Sequence, residues 1–124
     1  MSETTTGIKL FDSELKVMDV LWTQGDRTAK QISETLGERV GWNVNTTYTV
    51  IKKCVAKGAV ERRDPGFLCH ALISKEEVRQ NEVGELVDKL FDGSADLLFA
   101  SLLNGKALSP EAIAELRRWV EAQP

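Results

Sequence analysis

Few side chains in this 124-residue chain are equipped for covalent or metal chemistry. His70 is the only histidine, and the two cysteines, Cys54 and Cys69, form no CxxC or Cys/His ligand spacing. Cys69 and His70 are neighbours, and adjacent residues of a strand point to opposite faces, so the pair is poorly placed to grip one metal ion. The chain has no phosphate-cradling Gly loop, no GxSxG and no HExxH, and its carboxylates fall mostly on solvated helix faces. These residues predict reduced, partly buried thiols, no metal, no cofactor and no enzyme.

A different chemistry is concentrated a little earlier. Helical spacing sorts residues 45–57 into two sides, with Thr47, Val50, Ile51 and Cys54 facing inward. The other side carries Asn45, Thr46, Tyr48 and Thr49, then Lys52 and Lys53: hydrogen-bonding groups first, cations later. Amides can read adenine, a threonine methyl can lie against thymine, and lysines attract phosphate regardless of sequence. That order suits a helix whose N-terminal residues meet base edges while its flank meets the backbone.

Charge supports the same reading once it is divided. The chain as a whole is at −3, but residues 27–63 hold eight basic and three acidic groups, a local +5 that includes Lys30, Arg62 and Arg63. Residues 74–124 hold six basic and ten acidic groups, a local −4. A basic working surface beside an acidic remainder fits a polyanionic partner met by one part of the chain.

The elements that would position this face are legible in turn signals. Residues 1–9 are polar and Thr-rich and read as a loose tail. Asp12 is expected to cap a first helix with Phe11, Leu15, Met18, Leu21 and Trp22 on its stripe and Gly25 after its end. A second helix spans about Thr28–Glu38, with Ala29, Ile32 and Leu36 inward, and a turn runs from Gly37 to Asn43. The third helix starts near Asn43–Asn45 and stops at Lys57–Gly58. Ala59–Arg63 and Phe67–Ile73 read as two strands joined by Asp64-Pro65-Gly66, with Pro at i+1 and Gly at i+2. Three helices and then a hairpin is the winged-helix order.

Residues 74–124 are predicted to be helical. Ser74 and Glu77 form a capping box, Gly93 closes the helix that follows, and residues 95–103 are apolar almost all round. Ser109-Pro110-Glu111 opens a last helix with Trp119 beside its stripe. Val83, Leu86, Leu90, Leu97, Leu98, Leu102, Ile113, Leu116 and Val120 make more apolar surface than three short helices can hide. A second copy of the chain would cover it, and docking back onto the same chain is the alternative. The expected organisation is mainly α with a small β-wing: a tail at 1–9, a winged helix-turn-helix domain at 10–73 and a helical dimerisation module at 74–124. No apolar run is long enough to span a bilayer and the first residues lack a signal-peptide core, so a soluble, cytoplasmic protein is expected.

At this point the chain resembles the penicillinase and methicillin-resistance repressors, with the copper-responsive repressors as relatives. The residues that carry the resemblance are Glu14, Met18, Leu21-Trp22, Trp42, Thr46-Thr47-Tyr48-Thr49-Val50-Ile51 and Lys57-Gly58, within a span from about Leu10 to Val120. The resemblance implies a homodimeric winged-helix repressor on inverted repeats of the TACA/TGTA kind. It implies operator contacts at Asn43, Thr46, Tyr48, Thr49 and Lys53, with the wing near Arg62 and Arg63. There are departures. Some members are inactivated, under an upstream membrane-bound sensor, by cutting between Asn and Phe, where this chain has Ser101-Leu102. The copper-responsive relatives end in paired cysteines, where this chain ends Ala122-Gln123-Pro124. Tyr48 stands where a basic residue is common, and Cys69-His70 where aromatics are frequent. Two other readings stay open from the residues: a winged helix that binds a protein partner, and a DNA-binding regulator that answers to a small molecule.

Overall fold

The computed structural model describes residues 8–105 and 109–121, apart from the side chains of Leu116, Trp119 and Val120. Helices α1 (Asp12–Gln24), α2 (Ala29–Val40) and α3 (Val44–Ala56) are followed by strands β2 (Val60–Arg63) and β3 (Leu68–Ala71), with a two-residue strand β1 (Arg27–Thr28) between α1 and α2. The strands form one antiparallel sheet in the order β1-β3-β2, with Arg62 opposite Cys69 and Arg63 opposite Leu68. Helices α4 (Lys75–Leu90), α5 (Ala95–Asn104) and α6 (Pro110–Glu121) complete the chain. This is the mainly helical winged helix-turn-helix architecture that the periodicities predict.

Each helix of the first half starts from a local hydrogen bond that the sequence encodes. Thr28 caps α2 by accepting from the Gln31 amide at 3.1 Å, while the Gln31 side chain takes the Thr28 amide at 2.9 Å. Asn43 caps α3, its Oδ1 accepting from the Thr46 amide at 2.8 Å. At α1 the cap position belongs to Phe11 and not to Asp12. Phe11 has no acceptor to offer, so the bond runs the other way: Glu14, three residues on, accepts the Phe11 amide at 2.8 Å. Helix α2 runs two residues past its expected end and closes on Gly41, whose φ of 75° is the left-handed conformation that a residue without Cβ adopts at low cost.

The core joins α1, α2, α3 and the sheet. Val17, Met18 and Val20 are wholly buried against Ile32, Ile51, Cys54, Val60 and Cys69. Phe11, expected on the inward stripe, is 59% exposed. Its ring instead lies 4.4 Å under the Lys57 ammonium. The Trp22 indole donates to the Ile73 carbonyl at 2.9 Å and so ties α1 to the chain leaving the wing. Beneath Phe11 sits a buried carboxylate: Glu14, 2% exposed, accepts from the Lys57 ammonium at 2.6 Å, and the same ammonium donates to the Lys9 carbonyl at 2.6 Å. Of the expected loose tail, residues 1–7 lie outside the described part, whereas Ile8 packs against the core.

The wing differs from the expected hairpin in its turn. The Asp64–Pro65 peptide is cis, and Gly66 and Phe67 both have positive φ, 93° and 53°. Phe67 therefore belongs to the turn and not to the returning strand, which starts one residue later at Leu68.

Two compact units divide the chain, residues 1–82 and 83–124. The first turns of α4 pack with the N-terminal unit through Val78, 8% exposed, although the change of pattern in the sequence falls at Ile73–Ser74. The Ser74–Glu77 box is formed in both directions, at 2.8 and 3.0 Å. Within the second unit Ser94 caps α5 and Ser109 caps α6, each accepting an amide three residues on, at 3.2 and 3.1 Å. Helix α5 buries none of its residues, and Leu97, Phe99 and Leu103 are exposed, as are Val83, Leu86 and Leu90 of α4. Leu98, Leu102 and Ile113 are half-buried, and the side chains of Leu116 and Val120 lie outside the described residues. Among the described residues no helix is long and apolar enough to cross a membrane.

Candidate nucleic-acid interface

Thr47, Val50, Ile51 and Cys54 fix the roll of α3 by facing the core, all at 6% exposure or less. The opposite side is then committed to solvent by helical geometry. Asn43, Asn45, Thr46, Thr49, Lys52 and Lys53 are exposed there. Asn43, Asn45, Thr46, Thr49 and Lys53, with the edge of Val50, line one open groove along the helix. Five of the residues expected to contact nucleic acid thus share one concave surface. Lys52 stands beside it, and Lys30 is exposed on α2.

Asn43 has a second task. Its Oδ1 accepts the Thr46 amide, which leaves one lone pair of that oxygen and the side-chain NH₂ for a partner. Capping therefore fixes the orientation from which the Asn43 amide would meet a base edge.

Tyr48 leaves the groove and turns toward the wing. It is half-buried, and its ring meets Phe67 edge to face, with centroids 5.8 Å apart and planes at 84°. The Arg62 guanidinium lies over the other ring of this pair, 3.8 Å from the Phe67 centroid, and Arg62 Nε also donates to Asp64 at 3.1 Å. Arg63, next along the strand, points to the opposite face. There it donates to Glu61 at 2.7 Å and approaches Asp26 at 3.6 Å. Asp26 also holds His70 Nδ1 at 2.8 Å. The two wing arginines, expected to act together on phosphate, are therefore separated: Arg62 is on the side of α3 and Arg63 in an ionic cluster on the other face of the strand. Phe67, Asp26 and Asp64 had no part in the sequence reading of this surface. The alternation of strand faces could have separated Arg62 from Arg63, but the turn conformation that brings Phe67 under Arg62 has no counterpart in hydrophobic pattern.

The reactive groups are kept apart. Cys69 is buried in the core while His70 faces Asp26 on the other side of the strand. Burial pushes the Cys54 thiol up to about 12, with the nearby Glu14 charge adding to it, and burial pushes Cys69 up to about 11 against the pull of Arg62. Both are thiols at neutral pH and neither is poised as a nucleophile. Among the described residues no group of three His, Cys, Asp or Glu side chains converges to hold a metal ion.

Comparison with known proteins places this geometry in context. The family model described as penicillinase repressor matches residues 10–122. The methicillin resistance regulatory protein MecI of Staphylococcus aureus (strain N315) is 22% identical over 111 residues, covering 88% of this chain and 90% of that protein. The penicillinase repressor of Bacillus licheniformis is 23% identical over 115 residues, covering 91% of this chain and 90% of its own. Among solved structures, the DNA-binding domain of the repressor BlaI superposes with a TM-score of 0.52 at 24% identity, over 56% of this chain and 88% of that domain.

Proposed function

Because this chain belongs to the penicillinase repressor family, and so to DNA-binding transcriptional repressors and not to enzymes, we propose that it represses by occupying an inverted-repeat operator as a homodimer. The observation that carries the reading is the groove of α3: side-chain amides and hydroxyls at its N-terminal end, Lys53 at the far end, and a buried face that fixes its roll. In this reading α3 enters the major groove, with Asn45, Thr46 and Thr49 at base edges and Lys30, Lys52 and Lys53 along phosphates. Tyr48 and Arg62 meet the flank of the site.

The exposed apolar side chains of α4 and α5 support pairing with a second copy, which would bury Val83, Leu86, Leu90 and Leu97. A dimer that sets its two recognition helices about 34–36 Å apart meets successive major grooves on one face of the duplex. The protein would act in the cytoplasm, with its inducing signal supplied by another component.

Fluorescence anisotropy of a labelled duplex carrying a TACA/TGTA inverted repeat, against a scrambled duplex across a salt series, tests this. With three or four phosphates neutralised per protomer, the logarithmic salt slope is about −5 to −7. Sedimentation at micromolar concentration should show a dimer. Equal affinity for both duplexes would overturn the operator, and a monomer that still binds tightly would overturn the dimer.

A further inference from the structure

Phe67 touches all three parts of the proposed DNA-binding surface. Its carbonyl accepts the amide of Ala29, the first residue of α2, at 2.9 Å. Its ring meets Tyr48 of α3 edge to face and carries the Arg62 guanidinium of β2 on its face. It does this with φ at 53°, a conformation that costs a bulky residue on the order of 1 kcal/mol or more and persists only where the surroundings over-determine it. Nothing in hairpin closure requires an aromatic ring at that place: Gly66 already supplies the freely adopted positive φ. The three contacts together account for the residue. One is to the helix that supports the recognition helix, one to the recognition helix, and one to the wing cation.

We propose that Phe67 is a positioning residue for operator binding: held in the left-handed conformation at the wing turn, it fixes the ring of Tyr48 and the guanidinium of Arg62 so that recognition helix and wing meet the duplex as one preformed surface. The inference rests on the operator reading above. Its energetic logic is preorganisation, since a Tyr48 phenol and an Arg62 already stacked lose less freedom on binding than free ones.

The test is a double-mutant cycle between Phe67→Leu and Tyr48→Ala in the full chain, read by anisotropy on the inverted-repeat and scrambled duplexes. Phe67→Leu should weaken operator binding roughly threefold to tenfold, the worth of an aromatic pair, and leave scrambled-duplex affinity nearly unchanged. In the Tyr48→Ala background it should cost less, because only the part that acts through Arg62 remains. Phe67→Tyr, which keeps the ring, should restore wild-type binding. Additive losses, or equal losses on both duplexes, would overturn the proposal. Tyr48 is the only tyrosine in the chain, so its ring resonances give a readout free of DNA. Phe67→Leu should shift them and sharpen the slow ring motion of a held phenol into fast averaging, and unchanged resonances would also overturn it. If wild-type protein shows no preference between duplexes, the operator reading fails, and these ring resonances alone decide whether Phe67 holds Tyr48.

Discussion

Lys57→Met should destabilise the N-terminal unit more than Glu14→Gln, and it should weaken the loss of stability in acid. Glu14 has a side chain only 3% exposed and relies on the Lys57 ammonium at 2.6 Å and the Phe11 amide at 2.8 Å. Burial pushes its carboxyl up, but the Lys57 hydrogen bond, the Phe11 amide and the charges of Lys57 and Lys53 outweigh it and hold the group below its ordinary 4.5. Removing one partner of a buried pair costs about 3–5 kcal/mol; the Lys57 side chain is itself 29% exposed, so water entering its place reduces this to about 2–4 kcal/mol. For a unit of this size that is a fall in Tm of about 10–25 °C. Glu14→Gln keeps an acceptor for Phe11 and leaves Lys57 able to reach water, so its cost is about 1–2 kcal/mol. In the wild type the folded carboxyl titrates below the unfolded one, so its contribution is full above the unfolded value and is lost as pH falls through the folded one. Without Lys57 two of the influences that lower the folded value are gone and only the Phe11 amide and the Lys53 charge still oppose burial, so the folded carboxyl rises and the stability lost in acid shrinks. Thermal melts by far-UV circular dichroism from about pH 3.5 to 7 read both effects. Equal costs for the two variants, or parallel pH profiles for Lys57→Met and wild type, would refute the account of Glu14 as a charge stabilised by its partner.

Asn43→Ala should lower stability by about 1 kcal/mol through loss of the α3 cap, whereas Asn43→Ser, which still caps, should keep stability and isolate any loss of operator affinity. Native protein should react slowly with Ellman's reagent at pH 8 and expose both thiols only in denaturant, since Cys54 and Cys69 are buried and titrate near 12 and 11; prompt reaction of either would contradict its placement. Thr49→Ala should relax base discrimination on operator variants, and Lys53→Ala, which removes one phosphate contact from each protomer, should weaken all sequences alike and reduce the salt slope of the dimer by about 2. Arg63→Ala should change that slope less than Lys53→Ala, because Arg63 is already paired with Glu61 and Asp26; equal changes would show that Arg63 leaves its cluster to meet phosphate.

Much of the fold was readable because its signals are local. Ser74 with Glu77 and the glycines at 25 and 58 punctuate the helices in the roles expected of them, and α2 begins one residue after Thr28, where the second helix was expected to start, and ends two residues past its expected end. The roll of α3 followed from four inward residues at helical spacing. What escaped the sequence is non-local or conformational. Strand β1 is two residues long, too short for any alternation, and exists only because β3 lies alongside it. The Glu14–Lys57 pair joins residues 43 apart, and a glutamate in the first turn of a helix reads as an ordinary exposed residue near the positive end of the dipole. Phe67 continues the apolar pattern of Leu68 and so reads as strand, although its backbone has already left the β region.

The arrangement at the wing also changes what the local charge of +5 means. Residues 61–64 read Glu-Arg-Arg-Asp and sum to zero, and Arg62 and Arg63 each hold a carboxylate of the wing, at 3.1 and 2.7 Å. Exposed pairs of this kind are worth about 0–1 kcal/mol, so a phosphate can take either arginine from its partner. The displaced carboxylate then stays near the duplex and repels it, which offsets part of the gain. A wing built this way adds little sequence-independent attraction. In the proposed operator reading its contribution would lie in shape: Arg62 and Phe67 would present a fixed, partly apolar edge beside Tyr48, while the attraction would come from lysines of the helices. Separating the two tasks favours specificity, because affinity gained from phosphates is shared by every duplex, whereas a rigid edge is matched only where the flank of the site has the right form.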